Sequence, residues 1–367
     1  MPPTATIGIL GAGQLGRMLA LAGYPLGMRF RLLDPALDSP AGELAQQYAA
    51  PYDDEPTLTG FAEGLDLVTY EFENVPVAAA RFLEALVPVY PPPAALAAAQ
   101  DRLVEKTFFQ RLGIPTPSFA AVDSYEDLER AVAEIGLPAV LKTRRMGYDG
   151  KGQAVVRAPE ELRSAWQMLG GQGLILEGFV PFTRELSVLA VRGRDGATAC
   201  YPLVENTHRG GILRRSVAPA PGLTPGLQAL AEEYAARALD ALGYIGVLAI
   251  ELFEVEEQLL VNEMAPRVHN SGHWTIEGAA TSQFENHLRA VAGLPLGSTA
   301  ARGHAAMLNL IGTVPDVAPV LVLPECHLHL YGKEPRPGRK LGHITLRADD
   351  EATLLQRLAE LEALVSG

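Results

Sequence analysis

The chain has 367 residues, of which 48% are apolar, and its 43 acidic and 30 basic side chains give a formal net charge of −13 at pH 7. This length predicts two or three domains with sizeable cores. An acidic chain without a basic tract excludes nucleic acid as an expected partner, and the lack of a leader or a long apolar run predicts a cytoplasmic protein that contacts no membrane. Cys200 and Cys326 have no metal-ligand spacing and suggest no disulfide scaffold.

The chain begins with a βαβ pattern. It predicts a strand over 6–10, a helix over 17–26 and a second strand over 30–33. The segment GAGQLG at 11–16 places glycines at the N-terminus of the helix, where free N–H groups favour an anion. With Asp34 at the end of the second strand, one interpretation is an NAD site. The alternative is a tight turn needed only for packing, because many parallel sheets use one.

Further elements continue this region up to a triple proline. The pattern predicts strands over 65–72 and 87–90, with a helix over 77–86 between them. Prolines 91–93 cannot continue a helix or a central strand, so we place a domain boundary there. A helix is expected over 94–112.

A small α+β unit is predicted next, with strands over 138–142, 154–157 and 174–180 and a helix over 159–169. The glycine-rich segment 147–153 joins two of these strands and lacks the Ser or Thr that follows the lysine of a P-loop. We interpret it as a flexible lid over a triphosphate, with Lys142 reaching the phosphate oxygens. An ordinary glycine-rich hairpin is the alternative.

An acidic hairpin follows a predicted helix over 225–242. Apolar runs at 247–253 and 258–264 predict two strands joined by a short polar turn. If the turn centres on Glu257, Glu251 and Glu263 lie opposite each other, with Cβ atoms about 4.5–5.5 Å apart. Such a pair is repulsive unless it holds a cation, and Mg²⁺ commonly uses one or two carboxylates together with substrate phosphates. The alternative is a solvated acidic face.

Two polar segments follow the hairpin. Arg267 and His269 lie on an irregular segment beside the expected metal, where an arginine suits an oxyanion. The segment KEPRPGRK at 333–340 is a basic cluster held by prolines, which fits a phosphate site or a solvated face. Between and after these segments we expect helices over 282–292 and 350–364.

Three short strands are also expected in the C-terminal region, over 304–311, 328–331 and 343–347. Lysine is rare along the whole chain: only five of the 30 basic residues are lysine, and a retained lysine can indicate a site that needs a compact charge. The alternative is that the low lysine content arose by random sequence drift and marks no site. Of the five, Lys106 alone lies outside these motifs.

Taken together, five segments resemble one family of ligases. They are ILGAGQLGRML at 9–19, YEFENV at 70–75, GYDGKGQ at 147–153, APRVHNSGHW at 265–274 and RPGRKLGH at 336–343. In this order they resemble the N5-carboxyaminoimidazole ribonucleotide synthetases, ATP-grasp ligases of purine biosynthesis. Met146 departs from the pattern, since many members carry a glycine there.

The resemblance implies a mixed α/β and α+β fold in three parts: a Rossmann-like domain over 1–93, an ATP-grasp domain over 94–300 with a mobile lid at about 117–187, and a small C-terminal domain over 301–367. It also implies a homodimer. The implied reaction is the carboxylation of 5-aminoimidazole ribonucleotide by ATP and bicarbonate through carboxyphosphate, with Mg²⁺ as the cofactor.

The resemblance also implies a set of site residues. Those expected to bind ATP are Arg102, Lys142, Gly147, Tyr148, Asp149, Gly150, Lys151, Gly152, Gln153, Glu177, Val180, Glu185, His208, Asn262 and Glu263. Those expected at the ribonucleotide are Glu71, Tyr148, Asp149, Lys151, Lys333 and Arg339. Glu251 and Glu263 would hold the metal, and the expected catalytic residues are Arg267, His269, Asp149 and Lys333. Either Asp149 or His269 could accept the amine proton.

Several alternatives remain at this stage. A related ATP-grasp ligase could act on glycinamide ribonucleotide or on biotin. From other classes, the chain could be an NAD-binding oxidoreductase or a nucleotide sensor without turnover. Neither of these last two gives the acidic hairpin and the basic cluster a role.

Overall fold

Three β-sheets organise the molecule, which is known from a computed structural model that describes residues 5–147 and 150–366. The first sheet is parallel, in the strand order β3-β2-β1-β4. Its strands are β1 Thr6–Leu10, β2 Arg29–Asp34, β3 Gln46–Ala49 and β4 Leu67–Tyr70, and its helices are α1 Gln14–Gly23, α2 Glu55–Ala62 and α3 Val77–Glu84.

This first region follows the predicted pattern with local differences. The predicted helix over 17–26 starts earlier and ends earlier, because a separate 3₁₀ turn, Tyr24–Leu26, contains a proline. The predicted strand over 87–90 forms only one isolated bridge, between Val68 and Val89. Pro88 has no N–H to donate, which limits the ladder there.

Two helices replace the single one predicted over 94–112, namely α4 Pro93–Ala99 and α5 Arg102–Arg111. The Asp101 carboxylate accepts from the backbone N–H groups of Leu103 and Val104, at 3.1 and 3.4 Å, and so caps the second helix. A side-chain cap starts a new helix because it satisfies N–H groups that have no partner within the helix. Arg102 therefore lies in the first turn of α5.

The second sheet is antiparallel, in the order β5-β8-β6-β7, and forms the predicted small α+β unit. Its elements are β5 Phe119–Val122, α6 Tyr125–Ile135, β6 Ala139–Thr143, β7 Gln153–Val156, α7 Leu162–Met168 and β8 Leu174–Gly178. The glycine-rich segment joins β6 to β7 as expected. Tyr148 and Asp149 lie outside the described residues.

The third sheet has nine strands, in the order β14-β13-β9-β11-β12-β15-β17-β16 with β10 paired to β9. The strands are β9 Arg184–Arg192, β10 Thr198–Cys200, β11 Val204–Arg209, β12 Ile212–Ala218, β13 Gly246–Val255, β14 Gln258–Ala265, β15 His304–Ile311, β16 Cys326–Leu330 and β17 Lys340–Ala348. The helices around it are α8 Pro225–Ala241, α9 Thr275–Gly278, α10 Gln283–Ala292, α11 Val317–Val322 and α12 Glu351–Ser366. The sheet is continuous from the acidic hairpin to the C-terminal strands. No helix within the described ranges is long and apolar enough to cross a bilayer.

Candidate functional site

The acidic hairpin brings Glu251 and Glu263 opposite each other, as predicted. The predicted turn centre is wrong, however. The turn is a two-residue one, with Glu256 and Glu257 both in the left-handed region at φ 49° and 64°. A β-bulge then leaves Asn262 unpaired and moves the register by one residue, which restores the pairing of the two glutamates.

A cavity of about 410 Å³ opens in front of this hairpin. It brings together most of the residues that the sequence assigned to ATP, the metal and catalysis. Those that line it are Arg102, Lys142, Gly147, Gly150, Lys151, Gln153, Glu185, His208, Glu251, Asn262, Glu263, Arg267 and His269. The predicted residues absent from its lining, among those that the structure describes, are Glu71, Gly152, Glu177, Val180, Lys333 and Arg339.

The paired glutamates differ in charge. Burial raises the pKa of Glu251 to about 7, and the charge of Glu263 adds to the effect. Burial also opposes the ionisation of Glu263, but Arg102, whose guanidinium donates to Glu263 Oε2 at 2.7 Å, outweighs it and lowers the pKa of Glu263 to about 2. Glu263 is therefore ionised at neutral pH, while Glu251 is a carboxyl group that a cation would ionise.

These residues fit a magnesium ion that is completed by substrate oxygens. No group of three or more His, Cys, Asp or Glu side chains suited to a metal occurs in residues 5–147 or 150–366. The site has two carboxylates, and the buried Oδ1 of Asn262 beside them has no hydrogen-bond partner. Mg²⁺ is commonly held in this way, by one or two carboxylates, waters and the phosphates of a nucleotide.

Lys142 is held in the cavity by a buried carboxylate. Its Nζ donates to Glu177 Oε2 at 2.9 Å, which explains why Glu177 lies behind the cavity wall instead of lining it. Burial opposes the ionisation of Glu177, but the charges of Lys106 and Lys142 lower its pKa to about 2. Glu177 therefore fixes the position of Lys142 in the cavity lining.

Glu105 and Lys106 are buried at the site, although the sequence motifs did not single them out. Lys106 is fully buried, and its Nζ lies 3.4 Å from Glu177 Oε2. Glu105 lines the cavity, and burial together with the charge of Glu263 raises its pKa to about 8. The rarity of lysine and the spacing from Arg102, three and four residues earlier on one helix, could have indicated them.

The apolar wall of the cavity was also missed. It includes side chains from β6, β7, β13, β14 and the segment after β8: Val140, Val155, Phe179, Phe253 and Met264. Alternation along a strand directs every second side chain to one face, but the sequence does not tell which face meets a cavity.

Arg267 and His269 lie in the cavity lining beside the acidic hairpin. The Arg267 guanidinium pairs with Glu73 and also donates to the Val268 carbonyl at 3.0 Å. His269 Nδ1 lies 2.8 Å from Ser271 Oγ and accepts from the Ser271 backbone N–H at 3.3 Å, and its Nε2 lies 3.4 Å from Glu251 Oε1. Burial, and the nearby charges of Arg267 and Lys340, hold the pKa of His269 well below its usual range, so the ring is neutral.

His208 and Glu185 form a second pair in the lining. His208 Nδ1 lies 2.8 Å from Glu185 Oε2. Burial disfavours the charged imidazole, but this hydrogen bond and the charges of Glu251, Glu185 and Glu263 together outweigh it and raise the pKa of His208.

The glycine turn of the first region holds an internal anion. Glu71 accepts from the backbone N–H groups of Gly13 and Gly16, at 2.5 and 2.7 Å, in the position that a dinucleotide phosphate would need. Asp34, the expected ribose ligand, accepts from the backbone N–H groups of Ala12 and Ala36. This geometry argues against the NAD alternative, because the protein itself satisfies the donors of the turn.

The side chains of the basic loop 333–340 lie in different places, one near the glycine turn and one in the cavity lining. The Lys333 ammonium donates to Gln14, above the glycine turn and near Glu71, and burial lowers its pKa to about 8. Arg339 donates to the Glu334 carbonyl at 3.1 Å within its own loop. Of the cluster, Lys340 is the residue that lines the cavity.

Three family models match consecutive parts of the chain. A ribonucleotide synthetase preATP-grasp domain matches residues 4–100, an ATP-grasp domain matches residues 107–284, and a phosphoribosylaminoimidazole carboxylase C-terminal domain matches residues 305–357.

Known proteins are similar over nearly the whole chain. The N5-carboxyaminoimidazole ribonucleotide synthase of Pseudomonas aeruginosa is 60% identical over 98% of this chain and 99% of its own length. The crystal structure of the synthetase from Thermus thermophilus has a TM-score of 0.95 and 65% identity, covering 98% and 99% of the two chains.

A structure of the Aspergillus clavatus synthase in complex with ADP and 5-aminoimidazole ribonucleotide matches with a TM-score of 0.93 and 31% identity over 100% of both chains. The five motifs, the paired glutamates of the hairpin and these similarities agree. The chain belongs to the N5-carboxyaminoimidazole ribonucleotide synthase family of ATP-grasp ligases.

Proposed function

We propose that this chain uses ATP to carboxylate 5-aminoimidazole ribonucleotide with bicarbonate, releasing ADP and phosphate, as a step of purine biosynthesis. The observation that carries the proposal is the facing pair Glu251 and Glu263 in one cavity with Arg102, Lys142 and Arg267. In this arrangement the two glutamates could hold a metal-bound triphosphate, and Arg267 beside them could bind an oxyanion.

Bicarbonate needs activation because its carbon carries an anionic oxygen and lacks a good leaving group. Attack of bicarbonate on the γ-phosphorus of ATP gives carboxyphosphate and ADP. Lys142 and Arg102 stabilise the negative charge of the transferring phosphoryl group, a step that depends mainly on positioning and electrostatics. Arg267, oriented by Glu73, binds the carbonate oxygens.

Glu251 and Glu263 would hold Mg²⁺, with Asn262 beside them. When bound, the ion supplies additional charge neutralisation at the triphosphate. The segment 147–153 would close over the nucleotide as a lid and exclude water, since hydrolysis of carboxyphosphate competes with carboxylation.

The ribonucleotide would bind between the basic loop and the first region, at Glu71, Lys333 and Arg339. The family resemblance adds Tyr148, Asp149 and Lys151 to the proposed substrate contacts. The amine attacks the carbonyl carbon of carboxyphosphate and expels phosphate, or it attacks CO₂ after carboxyphosphate has split into CO₂ and phosphate. In both cases the amine loses a proton. His269 contacts Ser271 through Nδ1, and its Nε2 lies 3.4 Å from Glu251 Oε1, which favours a role in orienting Glu251. Asp149 is then the better candidate for the base.

The remaining ATP contacts are proposed from the same resemblance. They are Gly147, Gly150, Gly152, Gln153, Glu177, Val180, Glu185 and His208. We also propose the domain boundaries 1–93, 94–300 and 301–367, a homodimer, and a cytoplasmic location.

The test is an assay of ADP release with ATP, bicarbonate and 5-aminoimidazole ribonucleotide, each omitted in turn. The proposal expects coupled release only when all three are present. Replacing the imidazole ribonucleotide with glycinamide ribonucleotide or biotin tests the two alternative ligase activities. Release coupled to either of those acceptors, or none with the imidazole, would contradict the proposed function.

A further inference from the structure

Lys106 is a fully buried lysine with three polar partners. Its Nζ donates to the carbonyl oxygens of Asn262 and Val261, at 2.6 and 3.3 Å, and lies 3.4 Å from Glu177 Oε2. A buried charge is costly unless it is paired and hydrogen-bonded, so this arrangement is not incidental packing.

The first two partners belong to the bulge that places Glu263. Strand β14 is an edge strand of its sheet, and the bulge at Asn262 interrupts its pairing with β13. An interrupted edge exposes backbone groups that need other partners. Lys106 supplies donors to the residues before Glu263.

Its neighbour on α5 supplies the acceptor on the other side. Glu105 Oε1 accepts from the backbone N–H of Met264 at 2.6 Å. The two side chains therefore hold the backbone on both flanks of Glu263.

The third partner of Lys106, Glu177, belongs to strand β8 of the second sheet. Glu177 Oε2 accepts from Lys142 at 2.9 Å and also meets the ammonium group of Lys106. The Oε2 atom of Glu177 thus links Lys142, which lines the cavity, to the buried Lys106. Without the Lys106 ammonium group, Glu177 would pair with Lys142 alone, and the carbonyl groups of Val261 and Asn262 would lose this donor.

We propose that Lys106 is a positioning residue for ATP, which holds the bulge before Glu263 and the Glu177–Lys142 pair at a fixed separation, so that the metal-binding carboxylate and the phosphate-binding lysine act on the same triphosphate. The inference rests on the proposed function, because it deepens the account of the nucleotide site.

The test is a double-mutant cycle of Lys106→Met and Glu177→Gln, with steady-state kinetics for each variant. Lys106→Met should lower kcat/KM for ATP by about 10- to 100-fold, the range seen when a group behind a metal ligand is removed. KM for the ribonucleotide should stay near that of the unmodified chain. Glu177→Gln should cost less in the Lys106→Met background than in the unmodified chain, because the contact between the two residues is already lost there.

A stability-matched control separates positioning from general loosening. Leu358 is buried in the core formed by α12 and the C-terminal strands, and Leu358→Ala should lower the melting temperature without changing KM for ATP. If Lys106→Met does not accumulate as folded protein, Lys106→Gln replaces it under the same criteria.

Three results would overturn the inference: unchanged ATP kinetics in the Lys106 variant, losses that multiply in the double variant, or a loss no larger than that of Leu358→Ala at equal melting temperature. If the unmodified chain shows no acceptor-dependent turnover, the proposed function fails. Lys106 is then judged by the dissociation constant for Mg²⁺-ATP from calorimetry, which should rise by the same factor in the variant and would overturn the inference if unchanged.

Discussion

Two glycine-rich segments of this chain look like phosphate-binding loops, but their surroundings differ. At residues 11–16 the free N–H groups of a helix start are taken by the carboxylate of Glu71. In the segment 147–153, Gly147 and Gly150 border an open cavity, with Lys142 and the paired glutamates in the same lining. The first segment is closed by the protein itself, and the second is open to a ligand.

The difference shows that a glycine turn at a helix start favours a negative charge but does not determine which group supplies it. A helix N-terminus stabilises any negative charge placed there, whether it belongs to a ligand or to a side chain from a distant part of the chain. Glu71 follows the fourth strand of the sheet and reaches the turn after the first. We therefore expect substitutions at the open segment to change activity, and substitutions at the closed turn to change stability.

The largest effect is expected at the open site. Glu263→Ala removes one of the two facing carboxylates and should lower Mg²⁺-dependent ADP production by about 10²–10³-fold, since charge stabilisation at the phosphoryl group is lost. The measurement is coupled ADP release, with circular dichroism to verify the fold. Glu257→Asn, in the exposed turn of the same hairpin, is the matched control and should be active. Near-normal turnover of Glu263→Ala would refute the metal assignment.

A methyl group at Gly150 should disturb the lid. Gly150 has φ 75°, and a Cβ there would lie 2.8 Å from Gly211 Cα and 3.0 Å from the Gly210 carbonyl oxygen. Because backbone must shift, we expect kcat/KM for ATP to fall by about tenfold and the fraction of ADP formed without product to rise. Measuring ADP and carboxylated product together gives both values.

Gly196→Ala controls for backbone strain, because Gly196 has φ 85° but open space around it. It should leave the coupling of ADP to product unchanged. Equal effects at Gly150 and Gly196 would mean that the contact with residues 210–211 has no functional role.

Lys333, above the closed turn, should make ribonucleotide binding sensitive to alkaline pH. Burial lowers its pKa to about 8, so the ammonium charge is present below that pH and is lost as pH rises through it. We expect kcat/KM for the ribonucleotide to fall over this range, since it reports ionisation of the free protein. Lys333→Arg keeps its charge and should remove this part of the profile. An identical profile in the variant would assign the titration elsewhere.

The smallest effect is expected at the closed turn. Gly11 has φ 98°, and a Cβ there would lie 2.6 Å from Glu71 Cγ. Gly11→Ala should lower the free energy of unfolding by about 1–3 kcal/mol through this strain while leaving KM for ATP unchanged. Denaturant titration measures the first and steady-state kinetics the second.

Gly60→Ala is the control, because Gly60 lies in α2 with no atom close to the added methyl group. It should be neutral or slightly stabilising. A raised KM for ATP in Gly11→Ala alone would show that the first turn takes part in nucleotide binding.

The sequence predicted the acidic pair but not the way in which it forms. Alternation and a polar turn indicated a hairpin, and the pairing of Glu251 with Glu263 is confirmed. The bulge at Asn262 was not foreseeable, because a two-residue turn with a bulge and a wider turn without one give the same opposition of these residues. Only the register distinguishes them.

Other parts of the site depend on contacts between distant segments. The partners of Lys106 come from residues 177, 261 and 262, and the donors to Glu71 come from residues 13 and 16. No local pattern encodes such contacts. Motifs therefore predicted which segments form the site, while the burial of a charge and the closure of a turn required the folded chain.

The most direct measurement is a crystal structure of the protein with Mn²⁺ and a non-hydrolysable ATP analogue, with the metal located by its anomalous signal. In this complex we expect Mn²⁺ between Glu251 and Glu263 and the triphosphate beside Lys142 and the segment 147–153. We also expect Glu71 to remain bound to Gly13 and Gly16. A nucleotide at residues 11–16 with Glu71 displaced, or a metal away from both glutamates, would contradict it.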